Sequence, residues 1–167
     1  MRPSSRLDLL LVPTDPVIEV DRGRSLLEEL RSRGILDASD GPGPLASTLV
    51  EGGFFRAALE LPDGPVGFWA NRQGGFTVRC PVGDAPVVEA FSAAHAAWRE
   101  RPGPPPTVAC PACRGSHRAD ELVFRPAVAW GRFAVVVGRA EDSRLQAEAG
   151  RRIERWLGPF VVVLRRG

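Results

Sequence analysis

Residues 133–164 read FAVVVGRAEDSRLQAEAGRRIERWLGPFVVVL, and the fold is decided here. Phe133 to Val137 and Phe160 to Leu164 carry no polar side chain. Runs of that length and composition are strands covered on both faces. Between them, Ser143 and Gln146 have the spacing of a capping box. Leu145, Ala149, Ile153 and Trp156 then recur at helical intervals, and Gly158-Pro159 ends the pattern. Two apolar strands joined by a helix predict a βαβ unit with parallel strands and a right-handed crossover.

A similar unit is expected at the other end of the chain. Leu7 to Val12 is apolar apart from Asp8 and is bounded by Pro13 and Pro16. It reads as a buried strand. Ser25-Leu26-Leu27-Glu28 has the capping-box pattern, Leu26, Leu27 and Leu30 share a helical face, and Gly34 suits the position just past the C-cap. A helix over roughly 23–33 follows, then a Gly/Pro/Asp loop from Asp37 to Pro44. Phe54 to Leu61 reads as a strand stopped by Pro62-Asp63-Gly64. Val66–Ala70 and Phe76–Cys80 predict a hairpin around residues 71–75, with Val66, Phe68 and Ala70 on one face and Trp69 on the other. Val87 to Glu100 predicts an amphipathic helix whose stripe is Val88, Phe91, His95 and Trp98. Arg101 to Pro106 is an extended, proline-stiffened connector leading to Cys110. Trp69, Trp98, Trp130 and Trp156 each sit inside an element pattern and read as core. The expected architecture is α+β: a split βαβ (ferredoxin-like) sheet in a single domain, 1–167, with a small module inserted at about 76–124.

Composition narrows the function. The 167 residues are 44% hydrophobic and 25% charged, which excludes disorder as the main state. No apolar run is long enough to span a membrane. Asp8 interrupts the first apolar run, which is too short for a signal-peptide core, so a cytoplasmic location is expected. All 22 basic residues are Arg, Tyr is absent and Asn occurs once, at Asn71. A GC-rich bacterial coding sequence accounts for that bias without any phosphate-binding role. Residues 1–113 hold 11 Arg and 14 acids (net −3), and residues 114–167 hold 11 Arg and 6 acids (net +5). The result is a dipolar surface rather than a nucleic-acid groove.

Chemistry concentrates in three cysteines. Cys110-Pro111-Ala112-Cys113 can grip one ion from a tight turn, and His117 follows four residues later. Upstream, Cys80-Pro81-Val82-Gly83 enters a similar turn from a strand. Three cysteines cannot all pair within one chain, and an odd count in a reducing compartment favours metal or free thiols over disulfides. A CxxC pair also serves redox chemistry, but that requires a helix start, whereas Gly115-Ser116 here favours a turn.

The pair of turns resembles the two knuckles of a zinc ribbon, in which Cys-Pro-x-Cys-Gly occurs twice. The resemblance covers about residues 76–124. It is similar as well to small bacterial zinc-ribbon proteins of unassigned role, with a helix between knuckles and a His after the second. It implies at most one zinc per chain, held by Cys80, Cys110, Cys113 and a fourth ligand. Gly83 stands where the pattern places a fourth cysteine, and Arg114 precedes Gly115 where the pattern expects Gly first. His117 is the nearest substitute, with Asp84 and His95 as alternatives. With Gly83 in a ligand position, loss of the zinc is the other expected outcome.

Catalytic patterns are sparse. No phosphate-binding Gly loop, GxSxG or HExxH is present, and two histidines leave few nucleophile–base pairs. The expectation is a non-enzymatic protein whose zinc-ribbon-like insert supports binding to a macromolecule, most readily a protein. The competing readings are a nucleic-acid-binding zinc ribbon, supported by Arg114, Arg118 and Arg125, and a thiol oxidoreductase using Cys110 and Cys113.

Overall fold

The computed structural model describes residues 7–166. In chain order it has β1 (Leu7–Pro13), α1 (Asp21–Ser32), β2 (Arg56–Glu60), β3 (Gly67–Trp69), β4 (Thr77–Arg79), α2 (Val88–Glu100), β5 (Thr107–Ala109), β6 (Ser116–Arg118), β7 (Val123–Arg125), β8 (Ala129–Gly131), β9 (Ala134–Gly138), α3 (Ala147–Leu157) and β10 (Phe160–Arg166). The architecture is α+β. Four strands form one sheet in the order β10-β1-β9-β2, antiparallel throughout. The remaining six pair as β3·β8, β4·β7 and β5·β6, all antiparallel.

The two apolar runs at the C-terminal end do become strands. β9 and β10 point the same way, because each is antiparallel to β1. They are not neighbours, however: β1 lies between them. Their apolarity on both faces has the expected cause. On one face Leu9, Leu11, Val135 and Val137 pack with Leu26 and Leu30 of α1 and Ile153 and Leu157 of α3. On the other face Leu10, Val12, Val136 and Val163 pack with Trp69 and Ala129. Each fully buried Leu or Val there contributes about 1.5–3 kcal/mol of transfer free energy.

α1 and α3 begin without the expected caps. Val20 precedes α1 and Gln146 precedes α3, and neither makes a side-chain cap. Ser25 lies inside α1, and α3 starts four residues after Ser143. At the C-terminal end of α1 the reading holds. Gly34 takes φ +70°, its N–H donates to Arg31 O, and Ile35 N–H reaches back to Leu30 O. That is a Schellman closure, with Ile35 and Leu30 both buried.

Between β2 and β9 the chain leaves the sheet and returns through nested pairings. β3 and β4 do not pair with each other, so the expected hairpin around residues 71–75 is not formed; each strand pairs with the returning chain instead. The predicted facing of that segment survives, with Phe68, Val66 and Ala70 on one core and Trp69 on another. This central segment has its own apolar cluster, comprising Val78, Val87, Phe91, Val108, Leu122 and Trp130, with Cys80 and Cys110 among its buried members. Its stem presses onto the sheet at Gly131, where a Cβ would fall 2.5 Å from Val12 Cγ1 and 3.0 Å from Pro13 O. Only glycine allows that approach.

α2 forms one residue shorter than expected, and its stripe shifts. Val88 is 51% exposed, and Val87, ahead of the helix, takes the buried place instead. The Arg101–Pro106 connector is pinned at Trp98, whose Nε1 donates to Gly103 O and Pro104 O. Trp69 and Trp130 are buried as expected. No helix among the described residues is long and apolar enough to cross a membrane.

Candidate metal centre

β4 and β5 each deliver a cysteine into a turn, and the two turns share one backbone plan. Cys80 N–H donates to Ala85 O at 2.8 Å, and Asp84 N–H donates back to Cys80 O at 3.0 Å. In the second turn Cys110 N–H donates to Gly115 O at 2.8 Å, and Arg114 N–H donates to Cys110 O at 2.9 Å. The residue four beyond each cysteine is left-handed: Asp84 at φ 54° and Arg114 at φ 59°. Position 83 therefore corresponds to position 113. Gly83 occupies it in the first turn, and a Cβ there would meet nothing within 4 Å.

The missing thiolate is replaced from elsewhere. β6 runs back along β5 with His117 opposite Val108, which carries the imidazole over the second turn. His117 Nε2 lies 3.2 Å from Cys113 Sγ and 3.8 Å from Cys80 Sγ. Ligand atoms of Cys80, Cys110, Cys113 and His117 all lie within 4.8 Å of one another. A tetrahedral zinc, with Zn–S of about 2.3 Å and Zn–N of about 2.0–2.1 Å, spaces its ligand atoms about 3.5–3.8 Å apart. The cluster meets that spacing with shifts of about 1 Å or less, so the four residues could hold one metal ion. Gly115 lines the cluster: a Cβ there would sit in ordinary contact, 3.4 Å from Cys113 Sγ and 3.8 Å from His117 Nε2.

The other two candidate ligands are placed elsewhere. Asp84 accepts a 2.8 Å hydrogen bond from Arg79 Nε, and its side chain is exposed. His95 stacks between Phe91 and Trp98, with ring centroids 5.4 and 5.6 Å away, and Phe68 lies at 4.5 Å. Its Nε2 is buried without a hydrogen-bond partner. Desolvation, followed by the charge of Arg99, holds His95 below its ordinary value of 6.5.

Cysteine environments differ within the cluster. Cys80 and Cys110 are buried, and Cys113 is half-buried. The Gly83 N–H is the largest influence on Cys80. Together with the Val82 N–H and the Cys110 and Cys113 thiols, it outweighs burial and lowers Cys80 to about 6. At Cys113 the Gly115 N–H works downward, but burial and the neighbouring Cys110 and Cys80 thiols leave it raised. Backbone N–H groups aimed at sulfur are what thiolate ligation requires. The second turn repeats this, since Cys113 N–H points at Cys110 Sγ at 3.5 Å and Gly115 N–H at Cys113 Sγ at 3.4 Å.

Sequence reasoning named all four residues of the cluster. It missed the left-handed residues Asp84 and Arg114, whose signal is positional, four residues past each cysteine, rather than a glycine. Comparison with known protein families, curated proteins and solved structures finds no match to this chain.

Proposed function

We propose that this is a non-catalytic, cytoplasmic bacterial protein: a ferredoxin-like split βαβ sheet in a single domain, carrying a zinc-ribbon-like insert that binds a protein partner. The sheet reading rests on the order β10-β1-β9-β2 with α1 and α3 on one face. The insert reading rests on the matched turns at Cys80 and Cys110. One zinc per chain, held by Cys80, Cys110, Cys113 and His117, has a structural role. It clips two turns of a small module whose own core is limited.

The observation that carries this reading is the make-up of the cluster. Three thiols and one imidazole, within 4.8 Å of one another, would supply all four ligands of a tetrahedral ion. Acids close in sequence to these ligands, Asp120 and Asp84, are paired with Arg118 and Arg79. A hydrolytic zinc needs an open position and a neighbouring proton acceptor, and this ligand set offers neither. Protein is favoured over nucleic acid because two of the Arg side chains near the turns are already neutralised, Arg79 by Asp84 and Arg118 by Asp120. At the tip of the first turn Val82 is 73% exposed, an apolar contact suited to a protein surface. A thiol oxidoreductase is disfavoured by position, since Cys110 and Cys113 lie in a turn between strands and not at a helix start.

The deciding experiment is elemental analysis, with a free-thiol count, of protein purified without chelator. One zinc per chain is expected, with thiols that react only after chelation or unfolding. Metal-free protein with three freely reactive thiols refutes the reading. Partner class is read separately from salt: a steep loss of binding with rising ionic strength would identify a nucleic acid.

A further inference from the structure

Resting on the zinc reading above, we propose that the centre is a peroxide-sensitive release switch that opens at Cys113. The four ligands are unequally protected. Cys80 is 1% and Cys110 3% exposed, inside the central apolar cluster, whereas Cys113 and His117 are half-buried. Hydrogen peroxide therefore meets the Cys113 sulfur before the other two.

The partner for that sulfur is already in place. Cys110 and Cys113 share one turn, with the Cys113 N–H only 3.5 Å from Cys110 Sγ. In the first step the Cys113 thiolate attacks one oxygen of the peroxide. An S–O bond forms, the O–O bond breaks, hydroxide leaves, and Cys113 becomes a sulfenic acid. In the second step the Cys110 thiolate attacks the Cys113 sulfur. An S–S bond forms, the S–O bond breaks, and a second hydroxide leaves. Two thiolates lose two electrons, and one peroxide is reduced to two hydroxides. The site keeps only Cys80 and His117, too few to retain the ion. The clip between the turns at Cys80 and Cys110 is lost, and the insert's binding surface loosens with it.

The test uses the zinc-loaded full chain treated with one equivalent of hydrogen peroxide. Released zinc is followed with a chromogenic chelator, and thiols are mapped by peptide mass before and after. One zinc released per chain is expected, together with a Cys110–Cys113 disulfide and a free Cys80 thiol. Dithiothreitol plus zinc should restore the starting state. Zinc retained under peroxide, or a disulfide that includes Cys80, overturns this inference while leaving the zinc reading intact. A chain that takes up no zinc even when fully reduced overturns both.

Discussion

At the residue scale, the cluster separates His117, the nearest substitute ligand in the sequence, from His95, one of its alternatives. His117 joins the thiols, and His95 joins an aromatic stack. Cys110, like Cys80, is buried in the module's core, and its backbone N–H is bonded to Gly115 O. Cys110→Ser should cost several kcal/mol of stability in the zinc-loaded protein, because losing a ligand forfeits much of the metal's contribution to folding. Thermal melts with and without chelator check this: the variant should melt low and no longer respond to chelator. A variant that melts like wild type but loses a hydrolytic or thiol-exchange activity would make the site chemical instead. His95 has its own pH signature. Its folded value lies below 6.5, so as pH falls through 6.5 the unfolded chain gains a proton that the folded chain refuses. Stability from this residue is thus complete above pH 6.5 and declines below it until the folded value is reached. In His95→Phe that part of the decline should vanish while zinc content stays at wild type. Denaturant melts at a pH on either side of 6.5, compared between the two proteins, measure it.

At the element scale, α1 shows packing overruling propensity. Gly23 lies in the first turns of the helix, where alanine is ordinarily better by about 1 kcal/mol. A Cβ there would fall 2.7 Å from Phe133 Cε2 and 2.8 Å from Leu59 Cδ1. Leu59 can rotate away, but Phe133 is fully buried and has nowhere to go. Gly23→Ala should therefore destabilise the protein by about 1–3 kcal/mol, against its helix propensity. The same variant as a free α1 peptide should be more helical than wild type. Chemical denaturation of the protein and circular dichroism of the peptide test the two halves. β10 is anchored differently. Arg165 bonds Asp8 on β1 and Glu60 on β2, so one guanidinium ties both edges of the sheet on the face that carries Trp69. These pairs hold Arg165 above its ordinary value, with Glu60 the largest cause.

At the scale of the whole molecule, two cores divide the chain. The helix-covered sheet encloses one, and the central segment encloses the other around Phe91, Trp130 and the buried cysteines. They meet through the small third cluster at Trp69 and Ala129. Metal removal should therefore act locally. With chelator, amides between Thr77 and Arg125 should exchange faster, while those of Leu9–Val12, Val135–Val137 and Val161–Val163 stay slow. Hydrogen exchange followed by mass spectrometry resolves the two regions. Equal acceleration everywhere would mean that the metal supports the whole fold. Even without chelator, the paired strands of the sheet should exchange more slowly than Gly103, the connector residue whose amide lies outside any strand or helix.

What the sequence by itself determined is local. Runs such as Phe133 to Val137 can only be strands with both faces covered, Gly34 and Gly158 end their helices, and Cys110-Pro111-Ala112-Cys113 makes a knuckle from four adjacent residues. These features were legible because their cause lies within a few bonds. The capping patterns at Ser25 and Ser143 were equally local and still failed. A cap is worth about 1 kcal/mol, less than the burial that set where α1 and α3 begin. Tertiary structure alone decided the rest. It paired β3 with β8 and β4 with β7, Phe68 opposite Trp130 and Val78 opposite Phe124, against the nearer hairpin. And it chose His117 over Asp84 and His95, because a ligand is selected by where its backbone carries it: β6 turns His117 over the thiols, α2 buries His95 among rings, and Arg79 draws Asp84 away.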